Sequence, residues 1–120
     1  MRSLKNTTLT EHQEQSLFVE WFEFTYPNVR LFAIPNGVRT SIRQAIKAKK
    51  EGMRSGVPDI YIPSHKLWIE MKRSKGSVTS PAQKDWHHYL VDHCGDTVFI
   101  AKGFDDAMRQ VVPFMLNYRV

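Results

Sequence analysis

Asp59, Glu70 and Lys72 are the residues of this chain whose types and spacing could do chemistry. Glu70 and Lys72 flank one residue in Ile69-Glu70-Met71-Lys72. Side chains alternate along a strand, so the two would share a face while Leu67, Ile69 and Met71 share the other. In Asp59-Ile60-Tyr61-Ile62, Ile60 and Ile62 take one face and Asp59 the opposite one. If the segments pair, one face is apolar and the other gathers two carboxylates and an amine. That set suits hydrolysis of a phosphodiester. Carboxylates hold Mg²⁺, which acts as a Lewis acid and lowers the pKa of bound water; the ion often keeps several waters, so one or two protein carboxylates suffice. Lys72 can orient the attacking water or offset developing negative charge. Met71 points into the core, leaving its backbone carbonyl free to approach the metal. On spacing alone, the same residues could equally be a turn residue and a solvated strand face.

The surrounding pattern supplies elements to hold them. Thr10 can cap a helix beginning near Glu11, with Glu14, Leu17, Phe18 and Trp21 recurring on one face and Tyr26-Pro27-Asn28 ending it. Residues 30–34 read as a short buried strand stopped by Pro35-Asn36-Gly37. A basic helix follows from about Thr40 to Glu51, with Gly52 as its stop. The two site strands come next, joined through Pro63-Ser64-His65-Lys66. Ser80-Pro81-Ala82-Gln83 is a helix start, with Ser80 as N-cap, Pro81 first and Gln83 as capping-box partner. That helix carries Trp86 and Leu90 and ends near Gly95. Thr97–Ala101 is a strand, and a last helix starts around Asp105-Asp106, where Pro113 should kink or split it. The order α-β-α-β-β-α-β-α implies a mixed sheet with helices on its faces.

Composition narrows the class. The chain of 120 residues suits one domain spanning 1–120, with 1–9 as a flexible extension, and 42% hydrophobic content supports a real core. No apolar run approaches the ~20 residues of a membrane-spanning helix, and Met1 to Thr10 lacks a secretory signal. The single Cys94 excludes an internal disulfide and fits a reducing, cytoplasmic setting, a bacterial or phage-infected cell included. Residues 39–54 carry six basic residues against one acidic, which equals the whole net charge of +5. Localised charge of this kind points to a polyanionic partner, although a solvated helix face has the same look. His87, His88, His93 and Cys94 lack the paired spacing of a structural zinc site and are expected to be surface or partly packed residues. Trp21, Trp68 and Trp86 read as core or interface.

Gly56-Val57-Pro58-Asp59-Ile60 followed by Ile69-Glu70-Met71-Lys72 resembles the PD-(D/E)XK nuclease signature. The wider pattern is similar to its virus-type replication-repair nuclease (VRR-NUC) branch. The similarity runs in order through Glu14-Gln15, Leu17-Phe18 and Trp21, then Ile34-Pro35-Asn36-Gly37 with Arg39, then the two site segments. It continues through Ser80-Pro81-Ala82-Gln83 with Trp86, and Ala101-Lys102-Gly103. Val38 stands where a second glycine often follows, and Ala82 where an acidic residue is frequent.

The resemblance implies a restriction-endonuclease-like α/β fold and a Mg²⁺- or Mn²⁺-dependent deoxyribonuclease with no organic cofactor. Asp59 and Glu70 would be metal ligands, Lys72 the catalytic lysine, and Gln83 a glutamine that supports the site. Glu14 would complete the metal set; Glu11, on a neighbouring line of the helix, is the alternative. Arg39, Arg43, Lys47, Lys50 and Arg54 would contact phosphates, and Asn36 would lie near the site. The substrate expected is branched DNA such as a Holliday junction, with flaps, nicks or ends, or binding without cleavage, as alternatives. Cutting a two-fold junction on both sides needs two sites, hence a homodimer.

Overall fold

A computed structural model describes residues 8–35 and 41–118. Asn36 and Arg39 lie outside them. Among the described residues, four α-helices and four strands follow the expected order: α1 (Glu11–Thr25), β1 (Phe32–Ala33), α2 (Ile42–Lys50), β2 (Ile60–Ile62), β3 (Leu67–Lys72), α3 (Pro81–His88), β4 (Thr97–Lys102) and α4 (Phe104–Asn117). The strands form one mixed sheet in the order β1-β2-β3-β4, antiparallel except for the β3–β4 pair. A 3₁₀ turn (Pro63–His65) joins β2 to β3, and α3 continues as a π-helical turn (Tyr89–His93) before β4.

Cross-strand register assigns the two faces. Ile60 pairs with Ile69, which pairs with Phe99, and Ile62 pairs with Leu67. Together with Met71 and Ala101 these side chains meet Phe18 and Phe22 of α1 and Ala107 and Val111 of α4 in the buried core. The other face carries Glu70 and Lys72, covered by α3, and an aromatic row in which Phe32 meets Tyr61 edge-on and Tyr61 stacks on Trp68 at 4.1 Å. Hence β3, alternating by type, is nonetheless buried along both faces at its C-terminal end.

Several expectations are corrected. In α1 the buried residues are Glu14, Phe18 and Phe22, whereas Leu17 is exposed. The helix is apolar on several sides, and the i, i+4, i+8 line that meets the sheet is the one that is buried. Residues 30–34 are not a buried strand: β1 has two residues, both exposed, and it lies at the edge of the sheet. Pro113 does not split α4, which runs through it. Proline removes the bond to the carbonyl of Arg109, and at this exposed position water can take that acceptor.

Side-chain caps hold the starts of α1 and α4. Thr10 and Gln13 form a reciprocal capping box at α1. Gly103 precedes α4 with no capping side chain of its own. The missing acceptor comes from α1: Glu14 Oε1 accepts the Phe104 N–H at 2.9 Å.

Candidate active site

Asp59 stands at the entrance to β2. Ile34 N–H, just after β1, donates to its carbonyl at 2.8 Å and pins its backbone, and its Oδ2 accepts the Met71 N–H at 2.7 Å. Within a strand the N–H and C=O of one residue point to the same edge, which places the Met71 carbonyl on the Asp59 side, beyond the last β2–β3 pair. Upstream, Gly56 has φ +91, and a Cβ there would lie 2.6 Å from the backbone of Ala82. Only glycine lets the Gly56–Asp59 segment lie this close to the first turn of α3.

Glu70 and Lys72 are 1% and 6% exposed. Gln83 ties them together: its Oε1 accepts from Lys72 Nζ at 2.7 Å and its Nε2 donates to Glu70 Oε2 at 3.1 Å. The same Oε1 also accepts the Ser80 N–H at 2.8 Å, so Gln83 closes the capping box and spans the site at once. Lys72 Nζ donates a second bond to the Val78 carbonyl at 2.9 Å. An ammonium has three donors, which leaves one N–H for a substrate oxygen or water.

The electrostatics are those of crowded carboxylates. Burial pushes the Glu70 carboxyl up to about 9, reinforced by the charge of Asp59 and a hydrogen bond with it and opposed by Lys72. Glu11 is raised too, by burial and then by Asp59, with Lys72 and Arg73 opposing. Glu11 is therefore a first-helix carboxylate within electrostatic reach of Asp59 and Glu70. Glu14, which the resemblance implies as a ligand with Glu11 as the alternative, has partners of its own: its Oε1 caps α4, and a Cβ on Gly103 would lie 3.0 Å from its Oε2.

Comparison with known proteins finds likeness among solved structures. A solved structure described as a "VRR_NUC domain protein" superposes with a TM-score of 0.73 at 25% identity, over 90% of this chain and 89% of that one. The chain is a VRR-NUC domain. No family model matches the chain, and no curated protein does. The restriction-endonuclease-like α/β architecture is thus in place, and the domain is a nuclease domain of the PD-(D/E)XK type.

The residues of this VRR-NUC domain fit a divalent cation of the oxygen-preferring kind. Glu70 Oε1 is buried without a hydrogen-bond partner, and Asp59 stands close enough to add to the upward shift that burial imposes on Glu70. Among the described residues no three His, Cys, Asp or Glu side chains form an all-protein cage. Mg²⁺ does not require one, since it retains waters.

His87, which the sequence reads as a surface or partly packed residue, is half-buried. It lies against the site, with Nε2 at 3.6 Å from Glu70 Oε1, and burial and Lys72 lower its pKa. Its spacing four residues after Gln83 was the available signal, because i and i+4 share a helix face. His88 instead pairs with Asp92 at 2.6 Å, and His93 stacks on Tyr89.

The basic helix α2 has no buried residue, and Arg43, Lys47 and Lys50 are exposed on it. Arg54 differs: its Nη1 donates to the carbonyls of Lys49 and Met53, fastening the end of α2. No helix among the described residues is long and apolar enough to cross a membrane.

Proposed function

We propose that this protein is a Mg²⁺- or Mn²⁺-dependent DNA endonuclease that hydrolyses phosphodiesters in branched DNA such as Holliday junctions. One observation carries the reading. Asp59, Glu70 and Lys72 converge on one end of the sheet, and Gln83 bonds both Glu70 and Lys72. Asp59, Glu70 and the Met71 carbonyl would hold the cation, with Glu11 the better-placed carboxylate of α1. When bound, the cation supplies Lewis-acid charge and a more acidic water. Gln83 fixes the carboxylate and the ammonium relative to each other. The free N–H of Lys72 orients the attacking water or meets the charge that develops on the phosphate.

Arg43, Lys47, Lys50 and Arg54, with Asn36 and Arg39 beyond the described residues, would contact phosphates and so position DNA without reading sequence. A two-fold junction calls for paired sites, and the apolar stripe of α2 supports a homodimer: Ile42 and Ile46 are 81% and 54% exposed in the single chain. The cytoplasm is the compartment proposed, supported by the single Cys94, which suits a reducing setting.

The test is cleavage of four-way junction, flap, nicked and plain duplex DNA with Mg²⁺ or Mn²⁺, by wild type, Asp59→Ala and Lys72→Ala. Both variants should bind the junction with near wild-type affinity and cut it at least ~100-fold more slowly. Equal cleavage by Asp59→Ala would remove its metal role, and preference for flaps or ends would move the substrate. Binding without cutting by wild type would leave a DNA-binding module. Sedimentation should show a dimer at working concentration.

A further inference from the structure

Gln83 and His87 leave α3 from one face, and both reach Glu70. Gln83 Nε2 donates to Oε2 at 3.1 Å, while His87 Nε2 lies 3.6 Å from Oε1. Both Oε1 and this Nε2 are buried, and neither has a hydrogen-bond partner. Leaving a buried polar atom unpaired carries its full desolvation cost. Here two such atoms of complementary type face each other, about half an ångström beyond ordinary bonding distance. An Nε2–H is present on the imidazolium and on one neutral tautomer alike, so their pairing needs no change of charge on His87.

We propose that His87 is a positioning residue for Glu70. In the cation-bound state its Nε2–H closes on Oε1, so that α3 grips both oxygens of the carboxylate, Gln83 on one and His87 on the other. Each oxygen keeps a second lone pair, which leaves Glu70 able to ligate. The role is that of an outer partner that orients a metal-binding carboxylate, and it rests on the metal-dependent reading given above.

The experiment titrates the full chain with Mn²⁺ alone, followed by electron paramagnetic resonance. It compares wild type, Asp59→Ala, His87→Leu (similar bulk, no donor) and His87→Gln (an N–H near the position of Nε2). Leu should weaken Mn²⁺ binding about tenfold, Gln should hold it within about threefold, and neither should lower Tm appreciably. Should the leucine variant fail to fold, His87→Met replaces it as the donor-free mimic of glutamine. Equal affinity of the donor-free variant and wild type would overturn the proposal, as would glutamine binding as weakly as leucine. A nitrogen bonded directly to Mn²⁺ would also overturn it, since His87 would then be a ligand. If wild type and His87→Leu bind equally and Asp59→Ala does not bind, only the role of His87 falls. If wild type binds no Mn²⁺, the metal-dependent reading falls with it.

Discussion

Metal binding at this site should be an exchange of a cation for a proton. Glu70 is pushed up to about 9, first by burial and then by Asp59. At about pH 7 the metal-free protein therefore keeps a proton that the cation must displace. A gap of about two units corresponds to about 3 kcal/mol, or ~100-fold in apparent affinity relative to pH 9. Apparent Mn²⁺ affinity should rise about tenfold per pH unit from about pH 7 to 8.5, with about one proton released per ion bound. His87 is lowered from its ordinary value, so it contributes nothing in that window. Calorimetry in buffers of different ionisation heat reads the released proton directly.

The same shift has a definite sign for stability. A carboxyl whose folded pKa is raised keeps its proton after the unfolded chain has lost it. The folded state thus binds more protons between pH 4.5 and about 9, and metal-free stability falls as pH rises through that window. Glu70→Gln should flatten the slope, raise the metal-free Tm at about pH 8 and abolish Mn²⁺ binding. A flat affinity from about pH 7 to 8.5 with no proton released would refute the linkage, and with it the protonated Glu70.

Two further outcomes follow from contacts within the site. Gly56→Ala would place a methyl 2.6 Å from the Ala82 backbone at φ +91. It should cost about 3 kcal/mol, and thermal melting should show Tm lower by ~10 °C. Glu14→Ala removes the acceptor of the Phe104 N–H and should cost roughly 1–3 kcal/mol. Glu14→Gln should retain most of that stability and bind Mn²⁺ as wild type does, whereas Glu11→Gln should weaken Mn²⁺ binding. The reverse ranking of the two glutamine variants would return the metal role to Glu14.

Much of the fold was legible because it is written locally. The caps at Thr10 and Ser80, the alternation along β3 and the glycine after α2 each act within a few residues, and all are present. What could not be read depends on which neighbour arrives. Leu17, Phe18, Val19, Trp21, Phe22 and Phe24 offer several apolar stripes, and only the sheet decides that Phe22 is buried and Phe24 is 87% exposed. Residues 30–34 are apolar enough for a core strand, but sequence does not say that β1 falls at the edge of the sheet. The apolar stripe of α2 has the same origin: its period demands a partner, and the described residues supply none.

The site shows where local reading stops. Asp59, Glu70 and Lys72 could be grouped from alternation because two paired strands convert spacing into proximity. Glu11 and Glu14 could not be separated in that way, since three residues on a helix move a carboxylate by about 4.5 Å along the axis while leaving it on nearly the same face. The residue that separates them is remote in sequence. Gly103 has no side chain with which to cap α4, so the buried Glu14 supplies the acceptor for Phe104 N–H from ninety positions away. Glu11, a turn nearer the helix start, is left in the field of Asp59, Lys72 and Arg73. A missing cap at one helix thus gives a glutamate on another a backbone partner. A family pattern records the glutamate and not the N–H that it meets.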